Sequence, residues 1–243
     1  MVMIDVEEYV KRQIAVFQAN EHLEKRERRP GRGKECNLSY GPYLLISRER
    51  GAGGNTVAQL VGRRLGWQVF AGEIVDEIAQ KAHVRRQLIE SLDERDQTTI
   101  QDIVGQLLNP QEIGTSGYLG YLKQVVLTLG HQGDVIIVGH GAQYILPSQF
   151  GLNVRMIAPV EARVRRLADK AHLSLGAARI EIERIDHERV KAVHRLFGRN
   201  VTDPLSHDLT INTGAMNAEA AAEVVITALR RKLGVQIKEN GRK

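Results

Sequence analysis

The sequence predicts an α/β fold with a parallel sheet, and two observations support this prediction. Five short segments that are apolar or largely apolar alternate with longer segments whose apolar residues recur at helical spacing along the 243 residues. The run Val135–Val138 is apolar throughout, which is typical of a parallel strand with both faces covered. Parallel strands need crossover connections, and the intervening helical segments supply them as right-handed βαβ units.

The first forty residues are predicted to form a helix followed by a basic linker. Residues 4–24 carry apolar residues at helical spacing, namely Ile4, Val6, Tyr9, Val10, Ile14 and Phe17. Pro30 and Gly31 interrupt residues 25–42, whose many charges favour solvent. A second copy of the chain could dock on the apolar face of the helix, so a homodimer through residues 4–24 is one hypothesis. Residues 1–41 are accordingly assigned to an N-terminal extension.

The main domain is predicted to span residues 42–235, with a polar tail at 236–243. It begins with the apolar run Tyr43–Ile46, which predicts a buried strand. A glycine loop, Gly51–Gly54, follows this strand. From Thr56 the apolar residues take helical spacing, so the order is strand, glycine loop, helix.

The remaining elements alternate in the same way. Further strands are predicted at residues 67–70, 135–138, 154–157 and 209–212. Apolar periodicity predicts helices at residues 56–65, 73–82, 84–94, 99–108, 118–129, 160–170, 174–196 and 218–233. Residues 109–117 are predicted to be a loop that contains Pro110. Pro159 stands just before the helix at 160–170, where a proline near the first turn is favoured.

Composition limits the classes of partner. The formal net charge of +5 and the sequence pI of about 9.4 suit small anionic ligands. The charge is spread out, and the basic linker has no interleaved aromatic residues to stack on bases, which argues against nucleic acid. No apolar run approaches the ~20 residues that span a bilayer, so no membrane partner is expected. One cysteine, Cys36, and the lack of a signal-peptide pattern predict a cytoplasmic protein.

The strand, glycine loop and helix together suggest a phosphate site. This arrangement presents backbone N–H groups and the positive end of a helix to a ligand. Matched to the end of the common pattern G-x-x-x-x-G-K-[ST], the glycine loop places Gly54 at the lysine position and Thr56 near the hydroxyl position. One interpretation is a phosphate site formed by Gly51, Ala52, Gly53, Gly54, Asn55 and Thr56. The other is a glycine-rich turn that only connects strand to helix.

Several segments together resemble the cytidylate kinase-like family of P-loop kinases, in the nucleoside-monophosphate kinase group. The matching segments are Ile46–Gly54, Val138–Ala142, Glu161–Arg166, Asp186–Arg189 and Asp203–Thr213. Each is weak alone, but their order and spacing along about residues 43–234 are fairly specific. The resemblance implies a P-loop three-layer α/β/α domain with a five-stranded parallel sheet and a helical lid at about residues 160–197. It also implies transfer of the γ-phosphoryl group of ATP, with Mg²⁺, to a small nucleotide or nucleoside.

The resemblance also assigns roles to charged residues. Arg163 and Arg166, three apart on one helix, match lid arginines, and Arg184, Asp186 and Arg189 lie on the next helix. The Asp186 carboxylate could hold the Arg189 guanidinium for a phosphate. The alternative is a surface helix with salt bridges that include Glu181, Glu183 and Glu188.

Arg48 and Arg50 flank the glycine loop, and either could replace the missing lysine. The alternative is that both are solvated or pair with Glu49. Thr56 could hold Mg²⁺, directly or through water.

Three further positions bear on the ligands. Gly139, His140 and Gly141 follow the third strand, at the edge of the sheet where ligands bind in open α/β folds. Thr213 follows the last strand, near the adenine in similar kinases, although it or Asn217 is equally explained as a helix cap. Asp76 stands where cytidylate kinases have an arginine for the acceptor phosphate, and a carboxylate there argues against CMP.

Two functions therefore compete. An active kinase is favoured by the lid arginines, whereas a nucleotide-binding sensor or partner-binding module is favoured by the missing lysine, His140 and Asp76. A third hypothesis is a protein-interaction role for the N-terminal extension.

Overall fold

The computed structural model describes residues 5–24, 40–92, 94–107 and 116–234. The predicted linker up to residue 39, most of the predicted loop at 109–117 and the polar tail lie outside these residues. No helix in the described ranges is long and apolar enough to cross a membrane.

A five-stranded parallel sheet confirms the predicted fold class. Its strands are β1 (Tyr43–Arg48), β2 (Gln68–Phe70), β3 (Val135–Val138), β4 (Gly151–Ile157) and β5 (Leu209–Asn212). The spatial order is β2-β3-β1-β4-β5, so the first strand lies at the centre. Strand β4 pairs with β1 from Tyr43 opposite Gly151 to Arg48 opposite Met156, and its other edge pairs with β5. The carboxyl ends of the central strands therefore come together at one edge, where ligands bind in such sheets.

Nine helices accompany these strands in the described ranges. They are α1 (Val6–Glu24), α2 (Gly54–Leu65), α3 (Gly72–Gln80), α4 (Ala82–Glu90), α5 (Glu94–Leu107), α6 (Ser116–Gln132), α7 (Val160–Ala171), α8 (Leu175–Phe197) and α9 (Ala218–Leu233). Short 3-10 turns occur at Ala142–Tyr144, Ser148–Phe150 and Pro204–Ser206. Every predicted helix is present, with ends that differ by up to five residues.

The contacts divide the chain into two compact units. The first unit comprises α1, the segment up to Pro42 and Phe70–Val135, and the second comprises Tyr43–Val69 and the chain from Ile136 onward. The second unit starts at Tyr43, and Phe70–Val135, which the prediction assigns to the main domain, belongs to the first unit. The predicted division into an extension, a kinase domain and a tail remains a prediction.

The second unit has an apolar core between the sheet and helices α2 and α9. Buried side chains from the strands include Leu44, Ile46 and Val154, and those from the two helices include Val61 and Val225. Burial of such aliphatic side chains is the main source of folding free energy, at roughly 25 cal/mol per Å² of apolar surface. This core holds the C-terminal end of β1 and the N-terminal end of α2 in place, and the glycine loop connects these two ends.

Helices α7 and α8 form a helical pair with a small core of its own. Its buried members are Val164, Leu167 and Ala168 on α7 with Ala178 and Ile182 on α8. Ser174 caps α8 by accepting a hydrogen bond from the backbone N–H of Ala177. The pair occupies the segment 160–197 in which a lid was predicted, and its mobility remains a prediction.

In the first unit, helix α1 packs on its neighbours through its apolar face. Val6 and Val10 are 2% and 0% exposed, and the ring of Tyr9 meets that of Phe70 edge-on at 5.4 Å. The face offered for a homodimer is therefore covered, at these residues, by the chain itself. A homodimer remains a hypothesis that would need another surface.

Candidate functional site

The glycine loop leaves the start of helix α2 without a side chain at its cap. The N-cap residue is Gly53, whose φ of 76° lies in the left-handed region that favours glycine. A Cβ atom built on Gly53 would meet nothing within 4 Å, so this side of the loop opens to solvent. Asn55 and Thr56, in the first turn of α2, are exposed. Backbone N–H groups at an uncapped helix start suit a phosphate group.

Arg50 is bound to helix α8 by two hydrogen bonds. Its backbone N–H donates to Oδ1 of Asp186 at 2.7 Å, and its Nη2 donates to Oε1 of Glu181 at 2.6 Å. The Nε atom of Arg50 is buried with no hydrogen-bond partner in the described structure. Arg50 thus ties the glycine loop to the helical pair.

Arg163 joins the same network from α7. Its Nη1 donates to Oδ2 of Asp186 at 2.5 Å and to the Arg50 carbonyl at 3.2 Å, and its Nε donates to the Ala158 carbonyl at 3.0 Å. Glu49 faces it from the other side, with 3.4 Å between Oε2 and Nε. Because the Arg163 side chain is only 11% exposed, these contacts satisfy a charge that would otherwise be costly to bury.

Arg189 completes the network from the next turn of α8. Its Nη1 donates to the carbonyl of Arg48 at 3.1 Å and lies 3.7 Å from Oδ1 of Asp186. Burial lowers the pKa of Arg189, and the carboxylate of Asp186 opposes that shift. Asp186 was predicted to hold Arg189, and the structure places it closer to Arg163 and to the Arg50 backbone.

Arg166 reaches the turn that follows β5. Its Nη1 and Nη2 donate to the hydroxyl and the carbonyl of Thr213 at 3.0 and 2.6 Å. The Thr213 hydroxyl donates to the Ala52 carbonyl at 2.8 Å, so Thr213 links the glycine loop to α7. Asn217, not Thr213, caps α9, because its side chain accepts a hydrogen bond from Ala220. Thr213 is therefore not the cap of α9, and its place near the adenine remains a prediction.

Other predicted positions lie apart from this network or at its edge. Arg184 pairs with Glu188 at 2.8 Å on the exposed face of α8, where the two side chains are 58% and 59% exposed. Gly139, His140 and Gly141 form the turn after β3, in which His140 takes a φ of 58°. The ring of Phe197 covers Gly141.

In the first unit, Asp76 has a defined partner. The hydroxyl of Tyr118 on α6 donates to Oδ1 of Asp76 on α3. Burial raises the pKa of Tyr118, and the hydrogen bond to Asp76 and the negative charge of Asp76 raise it further. The Asp76 carboxylate therefore accepts a hydrogen bond inside this unit, whether or not it meets a ligand.

Sequence reasoning named Asp186 but gave Glu49 and Glu181 no role in the site. Glu49 accepts a hydrogen bond from the backbone N–H of Ala158 at 3.2 Å and lies beside both Arg163 and Arg155. Burial lowers the pKa of Arg155, and the neighbouring Glu49 opposes that shift. Glu181 had been grouped with surface salt bridges. The one available signal was the concentration of acidic residues among arginines on these segments.

The described residues offer few side chains that could hold a metal ion by themselves. No group of three or more histidine, cysteine or carboxylate side chains suited to a metal occurs in the described part of the chain. Mg²⁺ often has few protein ligands and takes others from phosphates and water. Thr56 is the exposed hydroxyl near the start of α2 that could contribute.

Comparisons with known proteins place the chain in a family. The sequence model of the Cytidylate kinase-like family matches residues 44–215. A cytidylate kinase from Ignicoccus hospitalis is 28% identical over 185 residues, which cover 75% of this chain and 95% of that protein. A uronate isomerase from Corynebacterium glutamicum is 33% identical over 119 residues, 48% of this chain. The chain spans only 23% of the isomerase's length, so this likeness concerns a segment.

A solved structure shares the fold. The crystal structure of an uncharacterized protein from Eubacterium ventriosum superposes with a TM-score of 0.54. The match covers 77% of this chain and 97% of that chain at 16% identity. At this level of identity the likeness concerns architecture and not chemistry.

Proposed function

The chain belongs to the cytidylate kinase-like family, and from this membership we propose that it is an ATP-dependent phosphotransferase. Its acceptor would be a small nucleotide or nucleoside. The observation that carries the proposal is the uncapped start of α2 beside a network of arginines from three elements. Phosphoryl transfer needs mainly positioning and stabilisation of negative charge, and such a network is suited to both.

Each part of the site would have a separate task. The backbone N–H groups in the first turn of α2, from Gly54 to Thr56, would bind phosphate oxygens, and the Thr56 hydroxyl would hold Mg²⁺, which supplies further positive charge when bound. Arg163 and Arg189 would bring cationic groups from the helical pair to the loop. Closure of the pair over both ligands would exclude water from the transfer.

The alternative function is nucleotide sensing with weak transfer or none. Its support is that the carboxylates of Asp186 and Glu181 already engage Arg163 and Arg50. An arginine held in this way is less available to follow moving charge. It can still connect nucleotide binding to the position of α8.

A direct assay separates the two functions. The protein is incubated with Mg-ATP and a panel of nucleosides and their monophosphates, and ADP formation is measured beside ATP affinity by calorimetry. A kinase produces ADP with at least one acceptor, whereas a sensor binds ATP without acceptor-dependent ADP.

Gly53→Val tests the site itself. The new side chain would enter the open side of the loop and should abolish ATP binding. Gly234→Val is the matched control, because Gly234 also has a positive φ, 62°, and open space around its Cβ position. Both variants bear the same left-handed strain, about 1–2 kcal/mol. Unchanged ATP affinity in a folded Gly53→Val protein would refute the proposal that this loop binds the phosphates of ATP.

A further inference from the structure

We propose that Arg48, at the end of β1, supplies the positive charge that the lysine supplies in the common phosphate-loop pattern, and that Gly54 occupies the position of that lysine. In this arrangement the Arg48 guanidinium is the cation for the outer phosphates, and Gly54 is small so that the Arg48 side chain can pass. The proposal rests on the function proposed above.

The first argument is the close approach at Gly54. A Cβ atom built on Gly54 would lie 2.8 Å from Cβ and 3.1 Å from Cγ of Arg48, distances that side chains do not tolerate. Because the contact involves the first atoms of Arg48, rotation about its outer bonds cannot relieve it. A lysine at position 54 is therefore incompatible with Arg48 unless the end of β1 moves.

The second argument is where the Arg48 side chain ends. A Cβ atom built on Gly139 would fall on Nη1 of Arg48, so the guanidinium lies against the turn after β3. The N–H of Gly139 donates to the Ile46 carbonyl at 3.0 Å, which places this turn at the carboxyl ends of β3 and β1. Open α/β sheets bind ligands at that edge. The hydrogen bond from Arg189 to the Arg48 carbonyl further fixes the Arg48 backbone.

The third argument is that the other loop arginine has a different task. The Arg50 guanidinium binds Glu181 at 2.6 Å, and its backbone N–H binds Asp186. Arg50 thus holds the helical pair to the loop. Of the two arginines that could replace the lysine, Arg48 is the one whose side chain runs past Gly54 and ends at the turn after β3.

The transfer step defines what Arg48 must do. The bond between the γ-phosphorus and the bridging oxygen breaks, and that oxygen keeps the electron pair and becomes negative. An acceptor oxygen supplies the pair for the new bond to phosphorus; a phosphate acceptor loses no proton, and a hydroxyl acceptor releases its proton to solvent. Arg48 would stabilise the charge that moves onto the bridging oxygen, which guanidinium groups do well.

The test compares four variants with the wild type. Arg48→Met keeps the aliphatic stem and removes the charge, and Arg165→Met is the control at an exposed arginine of α7. Gly54→Lys introduces the steric conflict. Arg48→Gly combined with Gly54→Lys relieves that conflict and returns a cation to the loop. Turnover, ATP affinity and thermal stability are measured for each.

The expected pattern has three parts. Arg48→Met should lower turnover by roughly 10³-fold, and Arg165→Met should change it by less than about threefold. Gly54→Lys alone should lose stability, and the double variant should regain stability. The double variant should also exceed Arg48→Met in turnover by about tenfold or more. Full turnover in Arg48→Met, or a folded double variant with no gain, would overturn the proposal.

Failure of the proposed function gives a different result. If the wild type binds ATP and transfers nothing to any acceptor, the kinase is excluded. The Arg48 proposal is then decided by nucleotide affinity. Arg48→Met should lower the affinity for ATP about tenfold more than the affinity for AMP, because AMP lacks the outer phosphates. Equal losses for both nucleotides, or none, would overturn it.

Discussion

Replacing Asp186 by alanine should loosen helix α8 from the glycine loop without unfolding the protein. The carboxylate accepts hydrogen bonds from the Arg50 backbone at 2.7 Å and from Arg163 at 2.5 Å. Truncating one partner of a buried ion pair typically costs about 3–5 kcal/mol. Here Asp186 is 25% exposed, and Arg163 would keep two carbonyl acceptors and Glu49. We therefore expect a loss of about 2–3 kcal/mol in local stability.

The same helix provides the control. Glu188 pairs with Arg184 where both side chains are more than half exposed, so Glu188→Ala should cost about 0.5 kcal/mol or less. Both changes place alanine in one helix, which largely cancels differences in helix propensity.

Native-state hydrogen exchange measures the two losses by segment. A change of about 2 kcal/mol is roughly a 30-fold change in the opening equilibrium. Exchange in α8 should therefore rise by about 30-fold or more in Asp186→Ala and by less than about threefold in Glu188→Ala. Helix α9 should not change in either variant. Equal effects of the two substitutions on α8 would refute the assignment of Asp186 as the tie between α8 and the loop.

Three further predictions concern regions outside this network. Burial lowers the pKa of His207 from 6.5, so its contribution to stability is complete above pH 6.5 and is lost as the pH falls through the lowered pKa. Urea unfolding at pH 7.5 and 5.5 should show a smaller pH dependence for His207→Gln than for the wild type, and an equal dependence would contradict this. Val10→Ala should lower the free energy of unfolding by about 1.5–2 kcal/mol without changing the oligomeric state in sedimentation, whereas a shift in that state would support the dimer hypothesis. Tyr118→Phe should cost about 1.5–3 kcal/mol in urea unfolding, because Asp76 loses a donor, and unchanged stability would mean that water replaces it.

The sequence predicted most elements because their apolar patterns are local. Val135–Val138 and Leu209–Asn212 have the predicted strand ends, and an aspartate precedes each of these strands. Helix α5 begins at Glu94, five residues before the predicted start, because its first turn is acidic and carries no apolar periodicity. Acidic residues are favourable at a helix N-terminus, a signal that periodicity alone does not register.

The site was less predictable because its contacts join distant parts of the chain. Arg50 and Asp186 are 136 residues apart, and Thr213 and Ala52 are 161 apart. Helical spacing pointed to Arg189 as the partner of Asp186, yet the shorter contact is to Arg163 on another helix. Only tertiary packing brings these groups together, so the sequence could identify the participants but not their pairing.

The carboxylates allow several arginines to lie beside one loop. Guanidinium groups at this spacing repel one another, and Glu49 and Asp186 offset that repulsion through Arg163. Under the proposed function, a polyphosphate would compete with these carboxylates for the same cations. A kinase must let the competition succeed during transfer, so that Arg163 exchanges Asp186 for a phosphate oxygen. In a sensor, Arg163 would need to exchange partners only when the nucleotide binds, and α8 would then remain in its shifted position. Faster amide hydrogen exchange in α8 with ATP alone, and slower hydrogen exchange when an acceptor is added, would therefore argue for a kinase.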